Sequence, residues 1–149
     1  MGHNHQHCID SAIQSAEKIC LEKGLRFTPI RQKVLKIIWD NHNAIKAYDI
    51  LEQLQVEDRS AKPPTAYRAL DFLLEHGFIH RIESLNAYIG CPNPEHNHHF
   101  QLLICNKCGL VQEMEEPGLS ELVDKTVSKY QFQIQHQVVE VHGVCKDCV

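Results

Sequence analysis

The stretch "KPPTAYRALDFLLEHGFIHRIESLNAYIGC", Lys62–Cys91, joins a helical pattern to two short extended runs. Its apolar residues recur at the spacing of one helix face, at Ala66, Leu70, Leu73 and Leu74. Thr65, which follows two prolines, is the predicted N-cap of this helix, and Gly77 is typical of a residue that ends one. Beyond Gly77, two extended runs flank the turn-like "SLN" and predict a β-hairpin. A helix followed by a hairpin is the last part of a winged helix-turn-helix domain.

The chain upstream of this stretch has the pattern of three more helices. Asp10 or Ser11 can cap a helix that runs to Gly24, and Thr28 followed by Pro29 marks the start of a second. Apolar residues then follow at helical spacing in the second and third helices: Ile30, Val34, Ile37 and Ile38, then Ala47, Ile50, Leu51 and Leu54. These stripes predict helices that share one core with the helix and hairpin.

The helix after the two prolines is the predicted recognition helix. Tyr67 and Arg68 lie on the side opposite its apolar stripe, so they face outward in its first turns. In a winged-helix protein these turns enter the major groove and the hairpin, or wing, follows the DNA backbone. Tyr67 and Arg68 would then contact bases or phosphates. A small helical domain whose exposed pair binds nothing is the alternative.

The charge distribution supports a DNA-binding first half. The formal net charge is −4, but residues 1–83 hold eleven basic and eleven acidic side chains, whereas residues 84–149 hold four and eight. The segment "KGLRFTPIRQKVLK" carries five basic residues and no acid: Lys23, Arg26, Arg31, Lys33 and Lys36. Such a patch suits phosphate contacts. The alternative is an ordinary solvated helix face.

The cysteine content is informative because the expected compartment is the cytoplasm. No run approaches the roughly 18 apolar residues of a membrane helix, and "MGHNHQHCIDS" lacks a signal-peptide pattern. Seven cysteines in a reducing compartment are more typical of metal ligands or reactive thiols than of disulfides. Within the first helix, Cys20 is predicted to be a core residue. The N-terminal "HNHQHC" could bind metal weakly, but we expect a disordered tail.

The pattern changes after "CPNPE", whose two prolines indicate a hinge. Two extended runs, "FQLLIC" and "LVQEME", precede a helical segment and a further alternating run, "FQIQHQVVEVH". The helical segment places five apolar residues on one face: Leu119, Leu122, Val123, Val127 and Tyr130. The second half is therefore predicted to be a small α/β domain.

Two Cys-x-x-Cys pairs lie in this second half: Cys105, Cys108, Cys145 and Cys148. Each pair directs two thiolates at one point, and two pairs form the tetrahedral shell of a structural zinc ion, with Zn–S distances of about 2.3 Å. A single pair could serve a thiol oxidoreductase, but neither pair lies at the strand-to-helix junction of a βαβ unit. A zinc-ribbon adaptor is a further alternative, although it leaves the Tyr67–Arg68 helix without a role.

A second set of candidate ligands is less regular: His80, Cys91, His96, His98, His99 and Glu113. If Leu85–Asn86 is a two-residue turn, His80 faces Cys91 directly across the hairpin, with Cβ atoms about 5 Å apart. Glu113 and one of His98 and His99 would complete a mixed shell that suits zinc better than iron. Spacing alone does not choose between these two histidines.

Four stretches together resemble the ferric uptake regulator family, and within it the zinc uptake regulator branch: "LRFTPIRQKVL", "KPPTAYRALDFLLEHGFIHRIES", "HHFQLLICNKCG" and "VVEVHGVCKDC". The resemblance extends over nearly the whole chain from about Cys20. It implies a homodimeric transcriptional repressor, not an enzyme, that binds double-stranded operator DNA and controls zinc uptake genes.

The family resemblance also implies an α+β organisation in three parts. Residues 1–83 would form the winged helix-turn-helix domain, residues 84–95 a hinge with regulatory metal ligands, and residues 96–149 an α/β dimerisation domain. Two Zn²⁺ ions per subunit are expected, one structural ion on the four cysteines and one regulatory ion.

The resemblance assigns individual residues as well. The regulatory ligands correspond to His80, Cys91, His98 and Glu113, so His98 is preferred to His99. Expected DNA contacts are Tyr67, Arg68, Tyr48, Thr65 and Arg31. One departure concerns the residues before the first cysteine pair, where iron-sensing members have closely alternating His and Asp. This chain has Phe100, Gln101 and Leu102 there, which argues against the alternative of an iron- or peroxide-responsive regulator.

Overall fold

The computed structural model describes residues 5–41, 43–94, 99–135 and 137–149. The chain divides into two compact units, Met1–Asn97 and His98–Val149. Within the described ranges no helix is both long enough and apolar enough to cross a membrane.

The first unit is a winged helix-turn-helix. Its elements are, in order, α1 (His5–Glu22), α2 (Pro29–Asp40), β1 (Ile45–Lys46), α3 (Ala47–Glu57), α4 (Pro63–Glu75), β2 (Ile79–Ile82) and β3 (Ala87–Gly90). The three short strands form one antiparallel sheet in the order β1-β3-β2. The four helices and the hairpin confirm the predicted architecture. Strand β1, which is only two residues long, was not predicted.

The core of this unit is built from the predicted apolar stripes. Residues of α2, α3 and α4 are almost fully buried in it: Val34, Ile37, Ile38, Ile50, Leu54, Ala66, Leu70 and Leu73. Phe78 and Ile79 join them from the start of the wing. Cys20 is only 1% exposed, and burial raises the pKa of its thiol. It is therefore a core residue, as predicted.

The two proline-marked helices begin differently. Thr28 caps α2 as predicted, because its hydroxyl accepts a hydrogen bond from the Arg31 N–H at 3.5 Å and Pro29 is the first helical residue. Helix α4 begins at Pro63 after Lys62, so Thr65 lies inside its first turn and the predicted Thr65 cap is wrong. Proline suits a first helical position because it has no N–H there to satisfy. At the other end, Gly77 has a φ of +74°, as expected of a helix-ending glycine.

Helix α1 begins earlier than predicted. It includes His5–Cys8, so the expected tail is helical over these residues and neither Asp10 nor Ser11 is a cap. His5 Nε2 donates a hydrogen bond to the backbone carbonyl of Asp40 at 3.0 Å. Ile9 is 2% exposed. The extra turn thus has its own contacts with the core and with the end of α2, which composition did not reveal.

The wing has a longer turn than predicted. Ile82 pairs with Ala87, which leaves a four-residue turn over residues 83–86 with Asn86 at a φ of +48°. His80 therefore pairs with Ile89, and the predicted direct opposition of His80 and Cys91 is wrong. The observed register buries both Ile82 and Ala87. The longer turn is held by hydrogen bonds from the Leu85 N–H to the Ile82 carbonyl at 3.2 Å and from the Asn86 N–H to the Glu83 carbonyl at 3.4 Å.

The second unit contains β4 (Phe100–Cys105), β5 (Val111–Met114), α5 (Pro117–Ser128) and β6 (Val138–Gly143). The strand order is β5-β4-β6, with β5 antiparallel and β6 parallel to β4. The predicted small α/β fold is confirmed, although the last strand begins at Val138 rather than at Phe132. No residue of α5 is buried within the chain, and Leu122 is 61% exposed.

Thr28 caps α2 whereas Thr65 does not cap α4, and this difference predicts different effects on stability. Thr28→Ala removes the side-chain cap of α2 and should lower the free energy of unfolding of the first unit by about 1 kcal/mol. Thr65→Ala is the control and should change it by less than about 0.5 kcal/mol. Trp39 is the single tryptophan and lies in α2, so its fluorescence during urea unfolding reports on this unit. A larger loss for Thr65→Ala than for Thr28→Ala would contradict the assigned caps.

Candidate metal sites and DNA-binding surface

The four-cysteine cluster is assembled by the parallel pairing of β4 with β6. Cys105 ends β4 and lies opposite Gly143, so the turn after β4 and the chain end after β6 come to the same edge of the sheet. Gly109, at a φ of +75°, closes the first turn, and its N–H donates to the Cys105 carbonyl at 3.0 Å. The Asn106 N–H donates to the Gly143 carbonyl at 2.8 Å. These bonds hold the two Cys-x-x-Cys turns side by side.

The four sulfur atoms lie within 4.8 Å of one another, and Cys108 Sγ is 3.7 Å from Cys145 Sγ. Four thiolates at about 2.3 Å from a central zinc ion would be separated by about 3.8 Å in a regular tetrahedron. The donor set and its spacing therefore fit a zinc ion.

Protonation within the cluster is uneven. Hydrogen bonds from the backbone N–H groups of Cys108 and Cys145 lower the pKa of Cys105 to about 6, and the second of these bonds spans 3.3 Å. Hydrogen bonds with the Cys145 and Cys108 thiols raise the pKa of Cys148 to about 12. The cluster thus favours the thiolate of Cys105 and the protonated thiol of Cys148. A bound cation would displace the thiol protons.

His80 and Cys91 form a second group at the base of the wing. The Cys91 N–H donates to the Phe78 carbonyl at 3.0 Å, which extends the pairing of β2 and β3 by one residue. Cys91 therefore lies opposite Phe78 and diagonally from His80, on the same face of the hairpin. The ligand atoms of His80 and Cys91 lie within 4.8 Å of each other. The predicted proximity is confirmed, although it arises from a diagonal pair.

Both side chains of this pair are buried, with His80 5% and Cys91 4% exposed. An imidazole nitrogen and a thiol are ordinary zinc donors, and the thiol is a soft ligand that suits zinc. The pair is therefore a candidate for metal binding rather than for packing alone.

The other predicted ligands belong to the second unit or to the segment before it. Glu113 is half-buried on β5, where it pairs with Leu102 of β4. His99 is exposed. His96 and His98 lie outside the described residues, so the choice between His98 and His99 stays a prediction.

Four of the five predicted DNA contacts are available at the surface. Tyr67 is 50% and Tyr48 is 74% exposed, at the starts of α4 and α3, and Arg68 is exposed beside Tyr67. Thr65 is half-buried in the first turn of α4. These positions follow from the helix period, because the buried stripe of α4 leaves Tyr67 and Arg68 on the opposite side.

Arg31 differs from the other four. Its guanidinium carbon lies 3.7 Å from the centre of the Phe72 ring, a cation–π contact, and Nη1 donates to the Arg26 carbonyl. Within the predicted basic patch, Lys33 also has an intramolecular partner, Asp58, at 3.8 Å. The exposed cations of the patch are Lys23, Arg26 and Lys36.

Sequence reasoning missed a basic residue on the wing. Arg81 is exposed on β2, and its Nη2 donates to Asn86 Oδ1 at 2.8 Å. Glu83 lies 3.7 Å from Arg81 Nε. Its place in the strand was the available signal for an outward-facing cation. Side chains alternate along a strand, so Arg81 points away from the face on which its neighbours His80 and Ile82 are buried.

Comparisons with known proteins agree with this geometry. The model of the ferric uptake regulator family matches residues 22–142. The zinc uptake regulation protein of Escherichia coli (strain K12) is 42% identical over 140 residues, which are 92% of this chain and 81% of that protein. A solved zinc uptake regulator complexed with zinc and DNA is 39% identical, with a TM-score of 0.88, and the match covers 98% of this chain and 95% of that one.

The crystal structure of holo XcZur is likewise 39% identical, with a TM-score of 0.86 and coverage of 92% of this chain and 96% of that one. The family match spans both units, from the end of α1 to the last residues of β6. The winged helix and the paired Cys-x-x-Cys turns therefore have one explanation: this chain belongs to the ferric uptake regulator family.

Proposed function

We propose that this chain is a zinc-responsive transcriptional repressor, which binds operator DNA as a homodimer when its second zinc site is filled and so controls zinc uptake genes. The observation that carries the proposal is the buried His80–Cys91 pair at the base of the wing. It places a thiol and an imidazole, both ordinary zinc ligands, inside the folded unit that would read DNA. The 42% identity to a protein named as a zinc uptake regulator, and the similarity to a regulator solved with zinc and DNA, support it.

The four-cysteine cluster is proposed to hold a structural zinc ion. A filled tetrahedral thiolate shell has no open position for a substrate, and its binding energy stabilises the fold directly. The cluster joins the chain end to the turn after β4, which are about 40 residues apart in sequence. The four thiols then stabilise this unit and are not catalytic.

The second zinc ion is proposed to bind His80, Cys91 and Glu113, with His98 or His99 as the fourth ligand. A thiol, imidazoles and one carboxylate form a mixed set that is more suitable for zinc than for iron. Phe100, Gln101 and Leu102 replace the alternating His and Asp expected of iron-sensing relatives. Two zinc ions per subunit are therefore proposed, and an iron or peroxide sensor is less well supported.

Control of DNA binding is proposed to be conformational. Filling the second site changes the charge by about +1 per subunit if Cys91 loses its proton, which is small beside the phosphate contacts of a dimer. Ligands from the wing base and from β5, held by one ion, would restrict the DNA-binding units to the separation of two half-sites. A shift from 1:99 to 99:1 in favour of that state needs about 5.5 kcal/mol of differential binding, which zinc coordination can supply.

The proposed homodimer accounts for the uncovered face of α5. Leu122 of α5 is 61% exposed, and none of the α5 residues is buried within the chain. The helix nevertheless has a stripe of apolar residues at helical spacing. A second copy of the chain would cover this face, since symmetric dimers pair the same surface of each subunit. Such a regulator would act in the cytoplasm, where its operator lies.

Replacing one cysteine of the cluster tests the structural ion. Cys105→Ser should lower the zinc content by about one ion per subunit and destabilise the second unit, because three thiolates hold zinc less tightly than four. Zinc per subunit and the thermal unfolding midpoint are the measurements. Cys8→Ser, in the first unit, is the matched control and should keep the parental zinc content. A Cys105→Ser protein with full zinc and parental stability would reject this role, as would a parent that contains no zinc and reduces disulfides.

Replacing Cys91 tests the proposed function itself. Cys91→Ser and His80→Ala should each reduce zinc from about two ions per subunit to about one while preserving the fold and the dimer. Zinc-dependent operator binding should be lost, since the wing is no longer held. The measurements are zinc per subunit, mass in solution and operator affinity across a zinc titration.

Cys20→Ala is the matched control for this experiment, because Cys20 is a buried thiol in the core of the same unit. It should retain both ions and zinc-dependent binding. Two ions per subunit and parental operator binding in both Cys91→Ser and His80→Ala would refute the second site.

Removing the charge of Arg68 tests the recognition helix. Arg68→Ala should weaken specific operator binding by about 1–3 kcal/mol if Arg68 contacts a base edge, with the zinc content unchanged. Lys125→Ala removes an equal charge from α5 and should leave operator affinity close to the parental value. Fluorescence anisotropy with an operator duplex, at one stated salt concentration, measures both. Equal losses in the two variants would show that only overall charge matters.

A further inference from the structure

The indole of Trp39 occupies the space where Gly90 would carry a side chain. A Cβ atom built on Gly90 would lie 2.4 Å from Trp39 Cε2, 2.5 Å from Nε1 and 2.9 Å from Cδ2. These distances are far below van der Waals contact, and the atoms belong to the middle of a rigid ring. The backbone of Gly90 is ordinary strand without a positive φ. Glycine is therefore required here by the tryptophan and not by the backbone conformation.

This contact lies next to the thiol of the second group. Gly90 is the last residue of β3, and Cys91 follows it directly. Cys91 keeps one bond of the ladder, from its N–H to the Phe78 carbonyl, and the chain then continues through Pro92. The Phe78 N–H donates to the Leu73 carbonyl at 2.9 Å and returns no bond to Cys91, so the ladder ends there. The position of the thiol thus depends on whatever else supports the end of β3.

Trp39 is the side chain placed to give that support. Together with Phe78 and Leu35 it lines a cavity of about 490 Å³, and Cys91 lies on the wall of the same cavity. A cavity beside the strand end leaves room for Cys91 to move unless a neighbour restrains it. The indole restrains it by direct contact with the preceding residue. It also connects the strand end to α2, which packs against the recognition helix α4.

We propose that Trp39 is a positioning residue for Cys91: by packing against Gly90 it fixes the thiol beside the His80 imidazole. The inference rests on the proposed second zinc site for its functional meaning, but the geometry concerns residues of the first unit alone. Trp39 does not touch the ion in this proposal. It acts through Gly90, because its indole leaves no room for a side chain at that position.

The first experiment adds a methyl group to Gly90. In Gly90→Ala the new Cβ overlaps the indole, so the strand end or Trp39 must move. The affinity for the second zinc ion should fall by about tenfold or more, the size typical of changes to residues that orient metal ligands. In protein loaded only at the four-cysteine cluster, Cys91 should react with N-ethylmaleimide faster than in the parent, where it is only 4% exposed. Peptide mass spectrometry assigns the labelled cysteine.

The second experiment removes the overlap. In the Gly90→Ala, Trp39→Leu double variant the smaller side chain leaves room for the methyl group. Zinc affinity and Cys91 protection should recover to values above those of Gly90→Ala, which is the non-additivity expected of two residues in contact. Trp39→Leu alone should expose Cys91 to faster labelling. Gly143→Ala is the matched control, since a Cβ there would have no atom within 4 Å, and it should behave as the parent.

The outcomes separate this inference from the proposed function. Parental zinc affinity and parental Cys91 labelling in Gly90→Ala would overturn the positioning role, and so would a double variant no better than Gly90→Ala. If Gly90→Ala does not fold, Trp39→Leu decides, and an unchanged Cys91 labelling rate in it overturns the role. A parent that binds only one zinc ion per subunit would reject the second site instead, while the labelling experiments would still test the Trp39–Gly90 contact.

Discussion

The pairing of β2 with β3 is the constraint on which the proposed sensing function depends. This hairpin is at once the wing of the DNA-binding unit and the element that buries His80 and brings Cys91 beside it. Residues beside the ligands are buried, since Ile79, Ile82 and Ala87 are all almost inaccessible to solvent. The metal ligands are therefore positioned by hydrophobic packing of their neighbours. Because ligands and wing share one hairpin, anything that holds His80 and Cys91 also restrains the wing.

The two groups of metal ligands are built by different means. The four cysteines belong to two turns that a parallel strand pair brings together, and hydrogen bonds from backbone N–H groups stabilise a thiolate there. Backbone N–H groups thus hydrogen-bond both within the first turn and between the two turns. The His80–Cys91 pair instead lies where a strand pair ends and the chain passes into two prolines. A closed thiolate shell supported by backbone hydrogen bonds suits a permanently bound ion. Ligands at the end of a strand suit an ion that binds reversibly.

The Trp39–Gly90 contact supplies a way for such a strand end to hold a ligand. The hydrogen-bond ladder of β2 and β3 ends at Cys91, so side-chain packing must support the chain there. One indole ring against one glycine does this by steric contact. It also links the end of β3 to α2, and α2 shares its core with α4. The ligand and the recognition helix are thus parts of one packed unit.

Much of this architecture was predictable from local pattern. The helical stripes of α2 to α4, the Thr28–Pro29 start of α2 and the two Cys-x-x-Cys turns are properties of short segments, because helix period, capping and turn chemistry act over a few residues. The outward position of Tyr67 and Arg68 follows from the same period. The motifs in four short stretches of the sequence were enough to indicate the family.

Tertiary structure decided what depends on residues distant in sequence. The diagonal relation of His80 to Cys91 depends on cross-strand pairing, in which Ile82 meets Ala87 and the Cys91 N–H donates to the Phe78 carbonyl. The early start of α1 depends on contacts of its first turn with the end of α2, and Arg31 lies against Phe72 although its sequence context is that of a phosphate-binding patch. The Trp39–Gly90 contact joins residues 51 positions apart. The sequence determined the elements and the ligand types, and packing determined which of them meet, because contact energies depend on distance in space and not along the chain.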